Sequence, residues 1–433
     1  MRRIVTSLFM SVLAVGTVAQ PAPAPVALTS KDVFTWHAGQ FCLDGQPFAE
    51  ISYNKFDLFW SLWQGLQDSR KQGRTDAWDT ALAKQDAALR ELHDLGCRTI
   101  RIFAVPPREV GQAWASDPGW RTDFFKAMDA TLDLCDQHNI KVVYGLGAAL
   151  LHDSTVSRKS RQGDEGLYDL VANPAAHSRQ RLYNYLDTIV TRYRGRKTIA
   201  MWEITNELTN VADIGKRHGE PAPTLLHVAT FFDAVARRIK ACDPLRLVST
   251  GGSHLREYAW NLYTGNGWKQ RDTLDEYRQA YAAYFKNSAV DVIDTHYYAV
   301  RAGGYELAPD RAGPPVMMTP NRYLQIGREL GKGLIFGEYG ALPSGWRDKG
   351  LVKQADADWF NGYNDPNAKK WIQHAVDDVV TAGVPLVYFW AYQSDRPQDQ
   401  KSNPITFDLA ATPELVRIIA EGSRRLKEKL HAH

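Results

Sequence analysis

The sequence predicts an α/β fold, a closed (β/α)8 barrel of the TIM type, with an N-terminal β-hairpin and long loops on the C-terminal face. Three observations carry this expectation. Eight short β-branched or aromatic runs alternate strictly with eight amphipathic helical patterns. Repeated βα units imply parallel strands joined by right-handed crossovers, and eight of them suggest closure. No strand is followed by G-x-G-x-x-G or G-x-x-x-x-G-K-S/T, the phosphate turns that a doubly wound sheet would usually show.

The elements follow in order. Residues 35–53 read as a hairpin with Asp44-Gly45 at its turn, and the half from Phe48 to Tyr53 reads as the first barrel strand. A helix over 76–95 places Trp78, Leu82, Leu89 and Leu92 on one stripe and stops at Gly96. Strands are expected at 99–105, 141–147, 199–205, 246–252, 291–298, 333–340 and 385–392. Helices are expected at 121–138, 178–196, 224–241, 273–288, 319–330 and 365–382. Within 224–241, Val228, Phe232, Val235 and Ile239 share one face. The last helix opens at Thr412-Pro-Glu, an N-cap followed by proline at the first helical position. Extended loops occupy 54–74, 150–177, 206–223, 253–272, 300–320, 341–363 and 393–413. Each follows a strand, so the elaborated rim is the one where barrel enzymes keep their sites.

Of the 433 residues, 44% are apolar and 23% charged, which excludes a disordered or collagen-like chain. A net charge of +3 gives no reason to expect nucleic acid or an anionic membrane as partner. Arg2 and Arg3 precede an apolar run from Ile4 to Val18, then small residues and a Pro/Ala stretch. This is the outline of a secretory signal peptide, and the run is too short for a spanning helix. Residues 1–24 are therefore expected to be leader and the start of a linker, and 25–433 one barrel domain. The mature chain is expected to be a secreted or periplasmic monomer, with no membrane partner. Export permits disulfides, but Cys42, Cys97, Cys135 and Cys242 allow three pairings, and their spacing matches no zinc template. Most of them read as small buried hydrophobes.

The chemistry lies at the strand ends. The fourth strand runs into Trp202-Glu-Ile-Thr-Asn-Glu207, and the seventh ends at Glu338-Tyr-Gly340. Two carboxylates on opposed strands can face each other across a barrel mouth. One can protonate a leaving oxygen while the other attacks a sugar's anomeric carbon. Arg101 would keep Glu338 ionised, and the Tyr298 hydroxyl can donate to the same carboxylate. His296 and Tyr298 are two apart and share a strand face. Glu207 is expected to hold a proton at rest, its affinity raised by the negative Glu338. Asn206 and Glu207 are adjacent, so both reach one site only if the strand ends or bulges there. Glu203 reads as structural, aimed at the helix layer or a salt bridge at the barrel base.

With these residues in view, the chain resembles glycoside hydrolase family 5, a family of retaining (β/α)8 hydrolases, over nearly all its mature length. Asn206-Glu207 matches the family's Asn-Glu pair, whose Glu is the acid/base. Glu338 matches the nucleophile, Arg101 the inward arginine of strand two, and His296 and Tyr298 the His-x-Tyr of strand six. Trp390 matches the strand-eight tryptophan that floors the sugar subsite. Asn206 would then bond the sugar 2-hydroxyl. The resemblance implies cleavage of a β-1,4-linked polysaccharide with neither metal nor organic cofactor. Its β-mannanase branch is the most similar, through Trp202–Glu207, His296–Tyr298, Glu338–Gly340 and Trp390-Ala-Tyr392. Many cellulase-type members carry a His just after strand three, whereas here His152 falls late. A β-1,4-glucanase, an exo-β-glycosidase and a non-catalytic carbohydrate-binding barrel stay open. Trp60, Trp63, Trp114, Trp260, Trp268 and Trp346 are candidates for stacking on sugar rings.

Overall fold

A computed structural model describes residues 28–37, 39–105, 110–151, 165–211, 222–298, 306–309, 313–340, 363, 366–392 and 408–431. The expected signal peptide therefore lies outside the described residues.

Eight parallel strands close into a barrel, and they fall where the β-branched runs place them. They are β1 (Glu50–Asn54), β2 (Thr99–Phe103), β3 (Lys141–Gly145), β4 (Ile199–Glu203), β5 (Leu247–Ser249), β6 (Val292–Tyr298), β7 (Gly333–Gly340) and β8 (Leu386–Phe389). Each pairs with its sequence neighbours, and β8 closes on β1. The strands are buried on both faces, so their sequences read as near-continuous apolar runs.

Around them stand α1 (Asp76–Asp94), α2 (Pro118–Gln137), α3 (His177–Tyr193), α4 (Leu225–Cys242), α5 (Leu274–Phe285), α6 (Pro320–Glu329), α7 (Ala368–Ala382) and α8 (Pro413–His431). Their starts follow from side-chain caps. Asp117, Thr224, Thr273 and Thr319 each accept from a backbone N–H three residues on. The α4 stripe of Val228, Phe232, Val235 and Ile239 is wholly buried. On α1 the buried line is Ala81, Gln85, Ala88, Leu89 and Leu92, and Trp78 and Leu82 sit at its edge. The stripe is rotated because a further helix, Asp57–Gln72, packs beside α1.

That helix corrects one expectation. Residues 54–74 are not an extended loop. The apolar positions Leu58, Phe59, Leu62 and Leu66 recur at helical spacing and are buried. Three shorter helices, Val110–Ser116, Leu167–Ala172 and Ala259–Tyr263, also lie on the rim that the strands point toward.

The N-terminal segment forms three short antiparallel strands, Thr35–His37, Gln40–Leu43 and Gln46–Pro47, with the expected Asp44-Gly45 turn between the last two. Phe34, Phe41 and Leu43 pack with Met201, Leu247, Val292, Ile335 and Leu386 from inside the barrel. This sheet plugs the barrel base, so the opposite mouth is the one left for a site. All four cysteines are free thiols: Cys97 and Cys135 are buried, and Cys42 and Cys242 are half-buried. Among the described residues, no helix is long and apolar enough to cross a membrane.

Candidate active site

Arg101 on β2 organises the site. Its side chain is fully buried, and a buried cation is costly unless it is paired and hydrogen-bonded. Its Nε donates to both oxygens of Glu203 at 3.0 and 2.9 Å. Its Nη1 donates to Asn54 Oδ1 at 2.8 Å and to Glu338 Oε1 at 3.3 Å. Its Nη2 donates to Asn206 Oδ1 at 2.8 Å. One guanidinium thus ties together the ends of β1, β2, β4 and β7. Glu203 is structural as expected, but its placement is corrected. It lies inside the upper barrel against Arg101, not in the helix layer or at the base.

β4 ends at Glu203, which releases the alternation that would have turned Asn206 and Glu207 apart. Glu207 takes a left-handed backbone, φ 51°, and its N–H donates to the Gly251 carbonyl at 2.8 Å. That conformation costs a non-glycine residue about 1 kcal/mol or more. Gly251 is itself left-handed at φ 61°, and a Cβ there would overlap the Thr205 carbonyl and lie 2.6 Å from Glu203 Cγ. Gly251→Ala is therefore expected to destabilise the fold by about 3 kcal/mol and to displace Glu207. An unchanged Tm in thermal unfolding would contradict this geometry.

Glu338 is set by a bulge. The β6–β7 register shifts between Ile335 and Glu338, after which Glu338 pairs with His296. The shift turns the Glu338 side chain into the mouth, where it is 5% exposed. Tyr298 donates its hydroxyl to Glu338 Oε2 at 2.6 Å. Burial, then the Glu338 charge, holds the Tyr298 hydroxyl well above its ordinary range, so it stays a donor.

His296 joins the two carboxylates. Its Nδ1 is 3.0 Å from Glu207 Oε1 and 3.5 Å from Glu338 Oε2. Single ligating atoms of Glu207, His296 and Glu338 all lie within 4.8 Å of one another. Such a group could share a cation, but the Arg101 guanidinium already supplies positive charge there and the donors are already engaged with one another. Burial would lower His296, yet Glu338, then Glu207 and Asp294, push it up to about 9.

The expectation for Glu207 is corrected. Burial raises its proton affinity, but the His296 hydrogen bond and charge, then Arg101, hold it below the ordinary carboxylate range. His296 therefore holds a proton more firmly than Glu207 does. The Glu338 charge acts mainly on the imidazole, which lies between the two carboxylates.

Trp390 is half-buried at the end of β8 and stacks on Phe56, rings 4.7 Å apart and 3° from parallel. Beside Asn206 a cavity of about 280 Å3 is walled by Trp60, Phe103, Val105, Ala149 and Leu150. Of the other tryptophans, Trp114 is core and Trp63 packs on Phe59 and Trp120 in the helix layer. Trp260 stacks on Tyr263 and Trp268 meets Tyr258. Trp346 and His152 fall outside the described residues.

Sequence reading missed three participants. Asn54 donates to the Gly337 and Tyr388 carbonyls at 2.8 and 2.9 Å while accepting from Arg101. His254, after β5, lies close enough to feel Glu207, and burial holds it down at about 4 and so neutral. Asp294 lies beneath Glu338. Asn54 sits at a strand end and Asp294 within a strand, and that position was the available signal; His254 lies in the loop after β5, where strand position gives none.

No family model matches the sequence, and no curated protein does. Solved structures do match. An endo-1,4-β-mannanase from Rhizomucor miehei is 14% identical, with 92% of this chain and 99% of that one covered and a TM-score of 0.58. A glycoside hydrolase family 5 mannosidase from the same organism is 16% identical, with 92% and 99% covered and a TM-score of 0.57. A β-1,4-mannanase from the sea hare Aplysia kurodai is 16% identical, with 90% and 96% covered and a TM-score of 0.52. The chain thus shares the (β/α)8 fold of glycoside hydrolase family 5 mannosidases and mannanases over most of its length.

Proposed function

We propose that this chain is a retaining glycoside hydrolase of family 5 that cleaves β-1,4-linked mannan. One observation carries the reading: Glu207 and Glu338 bring carboxylate oxygens within 4.8 Å of each other across the barrel mouth. That spacing suits a nucleophile and an acid/base acting on one anomeric carbon, where about 5–5.5 Å marks retention and 6.5 Å or more leaves room for an inverting water.

In the first step a Glu338 oxygen bonds to the anomeric carbon as the glycosidic C–O bond breaks. Glu207 delivers to the leaving oxygen the proton that it shares with His296. In the second step Glu207 takes a proton from water, the water oxygen bonds to the anomeric carbon, and the Glu338 ester bond breaks. Arg101 and Tyr298 hold the Glu338 oxygens so that little reorganisation accompanies attack. Asn206, fixed by Arg101, faces the sugar's 2-hydroxyl, and Trp390 offers a ring face to the pyranose.

The mannan assignment draws support from the matched solved structures and from the wall after β3. Gly145, Gly147 and Ala149 line the cavity there, where many cellulase-type relatives carry a histidine. The aromatic cavity beside Asn206 suits the units that flank the cleaved bond. The domain from residue 25 onward would act after export.

The test is a reducing-sugar assay of the mature chain on galactomannan, glucomannan, carboxymethylcellulose, xylan and mixed-linkage glucan. Release from both mannans is expected. Release from a glucan alone would overturn the mannan assignment and keep the chemistry. No release from any of them, or from short aryl glycosides, would overturn the reading.

A further inference from the structure

The bulge that presents Glu338 has its own support. Asp294 lies on β6, two residues before His296, and is 2% exposed. Its Oδ1 accepts the Gly337 N–H at 2.8 Å, so it satisfies the donor that the β7 register shift leaves out of the ladder. The carboxyl group lies flat against Gly337, where a Cβ would overlap both Asp294 oxygens. Gly337 and Asp294 therefore fit as a pair, directly beneath the Glu338 backbone.

The second oxygen poses a question. Among the described residues, no N–H or O–H reaches Asp294 Oδ2, although it is buried. Among its charged neighbours, the Glu203 carboxylate on β4 is itself an acceptor that is already committed to Arg101. His296 Nε2 stands 4.0 Å from Asp294 Oδ1, too far for a hydrogen bond. Two buried carboxylates cannot face each other with both charged, and one proton between them turns two acceptors into a donor and an acceptor.

We propose that Asp294 is a positioning residue that works as a neutral carboxylic acid: Oδ1 holds the Gly337 bulge beneath Glu338, and the proton on Oδ2 is directed at Glu203. The groups that face it are Glu203 from β4, Arg101 from β2, His296 from its own strand, Glu338 from β7 and the Tyr388 hydroxyl from β8. Burial is the main cause of its high proton affinity; Glu203 adds to it, and His296 and Arg101 oppose it. The balance pushes Asp294 from its ordinary 3.8 up to about 8. A neutral Asp294 spares the site a further negative charge beneath the nucleophile. Ionisation above that point would bring the charge back and draw protons toward His296 and Glu207.

The inference rests on the hydrolase reading for its link to activity, so its test has an arm that needs no substrate. The folded chain keeps the Asp294 proton over a range in which the unfolded chain has released it. Wild-type stability is therefore lost progressively as pH rises from about 4 to about 8, and the loss levels off above that. Asp294→Asn keeps the Oδ1 acceptor, replaces the acid O–H with a neutral donor and does not titrate. The Tm of Asp294→Asn minus that of wild type is expected to rise by several degrees across that window. A difference that stays flat or falls would mean that Asp294 is ionised, and would overturn the proposal whatever the chain hydrolyses. In the activity arm, Asp294→Ala is expected to lose at least about tenfold in kcat. Asp294→Asn should restore most of that loss and move the alkaline limb of the pH profile to lower pH, because the charge that draws protons toward His296 and Glu207 can no longer form. Equal loss in both variants with an unmoved limb would also overturn it. The asparagine variant keeps the test open if the alanine variant fails to fold.

Discussion

Glu338→Ala is expected to lower kcat on mannan on the order of 10^5-fold and to leave the barrel folded. A nucleophile that forms the covalent bond has no substitute, and its loss removes both chemical steps. Stability should change little, because truncation takes away a carboxylate that helps crowd negative charge into the site. Arg101 keeps Glu203, Asn54 and Asn206 as partners, so the buried cation is not left unpaired. Circular dichroism and thermal unfolding check the fold, and steady-state kinetics checks the loss. Near-normal turnover would remove Glu338 from the nucleophile's role.

Glu207→Gln is expected to lower kcat on polysaccharide by about 10^3-fold, the usual share of a positioned proton donor. The size of the loss should depend on the leaving group. An aryl glycoside that releases an acidic phenol needs no proton for bond cleavage, so its first step should survive. Deglycosylation would then limit turnover, because no base activates water, and a burst of phenol should appear. Equal loss on sugar and aryl leaving groups would argue against Glu207 as the acid. His296 bears on the same point. Its Nδ1 holds the Glu207 carboxylate at 3.0 Å, and its affinity of about 9 keeps the pair protonated at neutral pH. Activity should fall as pH rises toward that value and the shared proton is lost.

The barrel was legible because its signals are local. Eight strands repeat as short β-branched runs, and the helix starts carry Thr or Asp caps that any reading of the chain can find. The helix Asp57–Gln72 escaped because its polar stretch, Gln64 to Arg74, reads as loop, although Leu58, Phe59, Leu62 and Leu66 already had helical spacing. Glu207 and Glu338 could be named from their pairing at the ends of strands four and seven together with the family resemblance. Their surroundings could not. The left-handed turn at Glu207 depends on Gly251 from the next strand, and the bulge at Glu338 depends on Asp294 from β6. The proton affinity of Glu207 went the other way from the sequence expectation for the same reason. It is set by where the His296 ring lies, and strand periodicity gives a face but no distance.

The carboxylate spacing makes a stereochemical claim that one experiment reads directly. Proton NMR recorded in the first minutes of mannan hydrolysis shows which anomer the enzyme releases before mutarotation mixes them. The β-anomer appearing first is the expected result, since two displacements at one carbon restore the starting configuration. The α-anomer appearing first would mean a single displacement by water, and would contradict Glu338 as a nucleophile.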